Sequence, residues 1–236
     1  HDTITQQAAE LAQWNAKLET RVLTQLGELQ RMKRLRRFLS PQVAELVINS
    51  GDDSVLGSHR REIVVVFCDL RGFTAFAESS EPEEVMGVLN EYHTALGELI
   101  FRYGGTLERF TGDGLMVFFN DPIPLDDPAQ RAVEMALAMR DRVETLIEGW
   151  SRLGHDLGFG VGIAQGFASL GRIGYEGRFD YAAIGTVTNL AARLCGEAGD
   201  GQVLISPRIF SNVEASIDAD SIGEITLKGF QRPVLA

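Results

Sequence analysis

Residues 62–74 read EIVVVFCDLRGFT and residues 107–119 read LERFTGDGLMVFF, and these two stretches decide the fold. In the first, the apolar run from Ile63 to Cys68 has the length and β-branched content of a strand buried on both faces. It ends on Asp69, and a glycine-containing turn begins two residues later. In the second, Asp113 sits in a Gly-Asp-Gly turn between two short strands, a hairpin signature. A carboxylate at the end of a hydrophobic strand is costly unless its charge is compensated. A hairpin lying beside the first strand would bring Asp69 and Asp113 together. Paired carboxylates suit Mg²⁺, which takes one or two of them plus substrate phosphates. Two such ions can clamp the attacking and leaving oxygens of an in-line displacement. Taken singly, Asp69 also reads as a cap of the following helix and Asp113 as a turn former; it is the pair that favours metal.

Working outward, Arg71-Gly72-Phe73-Thr74 leads into a short helix, so backbone N–H groups and the Thr74 hydroxyl can face a phosphate there. Further on, residues 184–194 read IGTVTNLAARL: Gly185 ends a strand and a helix follows with Asn189 and Arg193 at i and i+4, hence on one face. An amide and a guanidinium so placed suit a ribose or a phosphate near its reacting centre, although an exposed polar face is the ordinary reading of such a pair. Near the C-terminus ITLKGF places Lys228 and Gly229 after a strand, where a lone Lys is ordinarily a solvated edge residue.

The other elements alternate. Strands are expected at 63–69, 106–110, 115–119, 158–166, 179–184, 202–205 and 224–227, and helices at 83–103, 128–148 and 187–197. Such mixing points to an α/β or α+β sandwich with helices covering a sheet. Upstream, Ser40-Pro41 reads as an N-cap followed by Pro at the first helical position, opening a short helix, QVAELVINS, that ends at Gly51. The polar stretch 52–61 reads as a linker. Residues 1–40 carry an apolar stripe that includes Trp14, Leu18, Val22, Leu26 and Leu29 with no neighbouring element to bury it, which favours a parallel coiled coil over a helix packed on its own domain. Its 4-4-4 steps from Trp14 to Leu26 break the heptad and imply a stutter. The chain thus divides into a helical arm at 1–40, a short helix and linker at 41–61, and a second domain at 62–236.

Charge sharpens the division. The 236 residues carry a formal net charge of −11, made of +3 over residues 1–40 and −14 over the rest. That balance argues against a general nucleic-acid binder. Two cysteines, Cys68 and Cys195, cannot build a disulfide scaffold, so a reducing, cytoplasmic setting is expected. Cys68, one residue before Asp69, should point to the opposite face, into the core. No apolar run approaches the roughly 20 residues of a membrane span. His1, His59, His93 and His155 are scattered, which disfavours a zinc site.

Together FCDLRGFT, FTGDGLMVFF, IGTVTNLAARL and the terminal LKG resemble the class III nucleotidyl cyclases, the adenylate and guanylate cyclases, over residues 60–236. The helix 1–40 followed by RRFLSPQVAELV resembles the signalling helix that precedes such domains in bacterial sensor proteins. The resemblance implies a ferredoxin-like, palm-type catalytic domain with a mixed or antiparallel sheet, working as a head-to-tail homodimer with two active sites at its interface. It implies that Asp69 and Asp113 of one subunit hold two Mg²⁺ or Mn²⁺ ions. Asn189 and Arg193 come from the other, Asn189 orienting the ribose and Arg193 stabilising charge on the α-phosphate. Lys228 matches the lysine for the β/γ-phosphates, and Phe73 and Thr74 lie in the substrate-binding turn. The pattern departs where the family reads the base: Arg109 stands where Lys or Glu is usual, and Ala182 where Asp or Thr is common. Arg109 can donate to adenine N1 and argues against guanine, so ATP, converted to cyclic AMP and pyrophosphate, is the expected substrate. GTP, a pyrimidine nucleotide, a related palm-type polymerase or diguanylate cyclase, and a degenerate nucleotide-sensing dimerisation module are the alternatives. An upstream sensor domain is expected in the parent chain, which could itself be membrane-bound.

Overall fold

The structure, a computed structural model, describes residues 14–15, 17–19, 21–22, 24–25, 40–50, 56–176 and 178–236. Its centre is β1 (His59–Arg71), flanked on both sides by antiparallel neighbours: β3 (Gly114–Phe119) and β4 (Gly158–Tyr175). β2 (Thr106–Thr111) pairs β3, and β5 (Arg178–Ile184) pairs β4, giving the order β2-β3-β1-β4-β5. A short β6 (Val203–Ile205) adds to β4 in parallel, so the sheet is mixed with antiparallel pairs dominating.

Period-two alternation along β1 divides the core. Val64, Val66, Cys68 and Leu70 enter a layer under α3 (Pro82–Tyr103) and α4 (Pro128–Arg152). Ile63 and Val65 enter the opposite layer with Ala191 and Leu194 of α5 (Thr186–Glu197) and with Leu227. Cys68 is buried, as alternation from Asp69 requires. Between β1 and α3 lies α2 (Phe73–Ser79), entered through Gly72 at φ 77, a left-handed conformation that glycine adopts freely. α1 (Pro41–Ser50) precedes the sheet, and its Gln42 amide donates to the Gly105 carbonyl at 2.6 Å, at the foot of β2.

Several elements differ from expectation, among them the expected strand 224–227, which is confined to Glu224–Ile225, and the helix 128–148, which runs on to Arg152. β1 begins at His59 rather than Ile63, because β4 supplies a partner from Leu170 opposite His59 to Gly158 opposite Arg71 and draws the polar residues 59–62 into the ladder. β4 for the same reason runs past Gly166 to Tyr175, where β5 takes over as partner. A helix α6 (Pro207–Val213) and a closing two-stranded pair, β7 (Glu224–Ile225) with β8 (Val234–Leu235), complete the chain; α6 occupies a stretch read as having no element. In the arm, the described residues among 14–25 are helical, with Trp14, Leu18 and Val22 exposed; most of the expected coiled coil lies outside the described residues. Among the described residues no helix is long and apolar enough to cross a membrane.

Candidate active site

The hairpin does lie beside β1. Pairing of Cys68 with Leu115 and of Val64 with Phe119 sets the Gly112-Asp113 turn against the end of β1. There the Leu70 backbone N–H donates to Asp113 Oδ2 at 3.3 Å, which fixes that carboxylate beside Asp69. Gly112 makes the turn at φ 76, and Gly114 leaves room, since a Cβ there would stand 3.3 Å from Asp69 Oδ1. From α3, His93 Nε2 meets the Gly112 carbonyl at 3.1 Å and its ring lies 4.5 Å from that of Phe110, which steadies the turn.

Burial and the adjacent Asp113 carboxylate together push the Asp69 carboxyl up to about 7; the Arg71 guanidinium opposes the shift without cancelling it. Two acidic groups short of counter-charge at the mouth of a half-exposed site are what a cation would relieve. Among the described residues no group of three or more His, Cys, Asp and Glu forms a metal cluster. The pair offers two carboxylates, the number Mg²⁺ commonly takes from protein when substrate phosphates complete its shell. The donor set therefore fits Mg²⁺ or Mn²⁺.

Arg71 was legible only as part of the turn, yet it holds the site's frame. Its Nη1 lies 3.8 Å from Asp69 Oδ2, while Nε donates to the Ala198 carbonyl at 2.9 Å and Nη2 to the Cys195 carbonyl, both at the C-terminal end of α5. The guanidinium crosses β4 over Gly160, which stands opposite Asp69; a Cβ at Gly160 would overlap it. Gly162 likewise lets the α5 backbone rest directly on β4. The carboxylate end of β1 and the helix carrying Asn189 and Arg193 thus form one unit.

Among the described residues, none of the remaining expected residues has a hydrogen bond or ion pair to Asp69 or Asp113. Asn189 and Arg193 share the exposed face of α5, and neither side chain has a hydrogen bond or ion pair to a described residue. Lys228 is exposed in the turn after β7, beside Gly229 at φ 90. Thr74 is exposed in the first turn of α2, whereas Phe73 turns its ring toward Phe76, 6.0 Å away, and packs on the core. Arg109 is half-exposed on β2, and Ala182 is buried on β5.

Two further carboxylates escaped the sequence reading. Glu108, 3% exposed, pairs with Arg109. Asp121, 1% exposed, receives His59 Nε2 at 2.7 Å, lies 3.3 Å from Arg61 Nη1 and accepts the Tyr181 hydroxyl, so it ties β1 to β5 one residue before Ala182. Neither has a local motif to announce it; their partners come from distant strands.

A sheet with antiparallel neighbours about a central strand, helices over both faces and a carboxylate pair at one end make a mixed α/β domain with a candidate site at the end of its central strand. The chain matches the adenylate and guanylate cyclase catalytic domain over residues 57–235, and it belongs to that family. It is similar to the crystal structure of the adenylyl cyclase CyaB from P. aeruginosa, at 37% identity and a TM-score of 0.73 over 75% of this chain and 93% of that one. The guanylyl cyclase Cya2 is similar at 36% identity and a TM-score of 0.68, over 76% and 91% of the two chains. Adenylate cyclase 1 of Rhizobium meliloti shares 30% identity over 195 residues, covering 81% of this chain and 29% of that protein. The chain spans about two fifths or less of the length of the curated relatives it matches.

Proposed function

We propose that the chain is the catalytic part of an adenylate cyclase, converting ATP to 3′,5′-cyclic AMP and pyrophosphate within a signalling protein whose input lies elsewhere in the parent chain. The juxtaposed Asp69 and Asp113 carry this reading, since Arg71 offsets their charge only in part and divalent ions, themselves shared with a triphosphate, would offset the rest. A bond forms between the ribose 3′-oxygen and the α-phosphorus as the α-phosphorus bond to the pyrophosphate oxygen breaks, and the hydroxyl proton passes to solvent water or to the departing pyrophosphate. Positioning and charge neutralisation then account for most of the acceleration. When bound at Asp69 and Asp113, Mg²⁺ or Mn²⁺ supplies acidification of the 3′-hydroxyl and neutralisation of the phosphates.

In this reading Arg193 meets the charge developing on the α-phosphate, Asn189 orients the ribose and Lys228 holds the terminal phosphates. The backbone at Phe73 and Thr74 runs alongside the triphosphate, and Arg109 donates to adenine N1 beside Ala182. Asn189 and Arg193 lie on the exposed face of α5 without a hydrogen-bond or ion-pair partner among the described residues, which supports a homodimer whose sites take the carboxylates from one subunit and α5 from the other. Near-equal similarity to an adenylyl and a guanylyl cyclase favours GTP as the second reading. Product analysis with ATP, GTP, CTP and UTP, each with Mg²⁺ and with Mn²⁺, tests both. Cyclic AMP as main product is the expected result, cyclic GMP as main product establishes the second reading, and no cyclic product from any nucleotide overturns both.

A further inference from the structure

Arg109 and Glu108 are neighbours on one strand, and strand neighbours ordinarily point to opposite faces. Here they meet, with Arg109 Nη2 donating to Glu108 Oε1 at 2.7 Å. The reason is a β-bulge: the β2–β3 register runs from Leu107 opposite Val117 directly to Arg109 opposite Met116, leaving Glu108 as the extra residue. A bulge bends its strand and re-aims side chains. It turns Glu108 inward, to 3% exposure, while Arg109 stays 56% exposed. The backbone N–H of Ala183 on β5 helps to stabilise the buried carboxylate, yet its Oε2 has no hydrogen-bond partner. A buried acceptor left unsatisfied costs stability, so its retention calls for a compensating role.

We propose that Glu108 is the positioning residue for nucleotide selection: it clamps the Arg109 guanidinium from within the bulge and replaces, from the neighbouring position on β2, the polar partner that Ala182 does not provide on β5. The inference rests on the reading of Arg109 as the base-contacting group. Arg109 makes no other hydrogen bond to a described residue, so its remaining donors are aimed by this single contact. An Arg free to rotate would offer donors to any acceptor edge, whereas a clamped guanidinium presents them in one plane. Glu108 itself does not touch the base. Its effect must therefore pass entirely through Arg109, and it must fall on substrate binding, because the base lies away from the reacting phosphorus.

The test is a double-mutant cycle of E108Q, R109A and E108Q/R109A. Each protein is assayed for KM, kcat and the ratio of ATP to GTP turnover with Mn²⁺, with cooperative thermal unfolding as the check of folding. E108Q should raise KM for the preferred nucleotide about tenfold with kcat within about twofold, the size of one lost charge-assisted contact. It should narrow the ATP-to-GTP ratio by a similar factor. The double variant should be no worse than R109A alone, since no clamp acts without its target. Additive losses, or an unchanged nucleotide ratio in E108Q, overturn the role of Glu108 while leaving the cyclase reading intact. A wild-type chain that forms no cyclic product overturns the reading on which it rests. If E108Q does not fold, E108D, which keeps the charge at shorter reach, takes its place and the same coupling with R109A is required.

Discussion

The Leu70 backbone N–H donates to Asp113 Oδ2 at 3.3 Å, so the turn after β2 is pinned to the strand end that carries Asp69. This contact holds the two carboxylates side by side. Burial and the neighbouring charge push Asp69 up to about 7 against the pull of Arg71, so the two adjacent carboxylates are under electrostatic stress.

D69N relieves that stress and removes a metal ligand at once. In the presence of a chelator the variant should be more stable than the wild type by about 1 kcal/mol, a rise of roughly 2–4 °C in Tm for a chain of this size. Its cyclase activity should fall at least a hundredfold, by ~2.7 kcal/mol or more in transition-state stabilisation. Adding Mn²⁺ should raise Tm for the wild type and not for D69N, read by calorimetry, because only a state that binds the ion is stabilised by it.

Gly160 is required by Arg71, whose guanidinium crosses β4 where a Cβ would stand. G160A should cost roughly 1–3 kcal/mol through overpacking. It should also lower kcat, because a displaced Arg71 releases both Asp69 and the carbonyls of Cys195 and Ala198. R71A spares the clash but not the link. Chemical denaturation and activity measured on both variants separate the two effects.

The His59–Asp121 contact gives a pH dependence whose sign follows from geometry. The Gly57 carbonyl and then the Asp121 carboxylate raise the His59 pKa above its ordinary value, against partial burial and the Arg61 charge. A folded-state value above the unfolded one means that protonated His59 stabilises the fold at pH below the usual histidine range. That contribution is lost as pH rises through the raised folded value. Unfolding free energy measured across this window should decline for the wild type, and H59Q should remove that part of the slope. D121A, which removes the carboxylate shared by His59 and Arg61, should cost roughly 3–5 kcal/mol at the low-pH end of the window and less at its high end.

What could be read from the sequence was what local chemistry decides. The run from Ile63 to Cys68 could be nothing but a buried strand, and Gly112-Asp113-Gly114 announced the hairpin that brings Asp113 to Asp69. The helices α3, α4 and α5 followed from periodicity and from their Pro and Gly boundaries. Residues 59–62 carry no apolar pattern, and only the length of β4 opposite them makes them strand. The contacts of Arg71, Glu108 and Asp121 have no local signal for a related reason. Arg71 meets carbonyls more than a hundred positions away, Asp121 meets Tyr181 across the fold, and Glu108 owes its burial to a bulge that alternation alone cannot place.

The central claim is that Asp69 with Asp113 on one chain and Asn189 with Arg193 on another are halves of one active site. Mixing purified D69A and R193A proteins and measuring cyclic-nucleotide formation tests it most directly. Each homodimer should be nearly inactive, while the mixture should regain activity, because each heterodimer contains one site built from two intact halves. A mixture no more active than its separate components, with subunit exchange verified, would contradict the shared site.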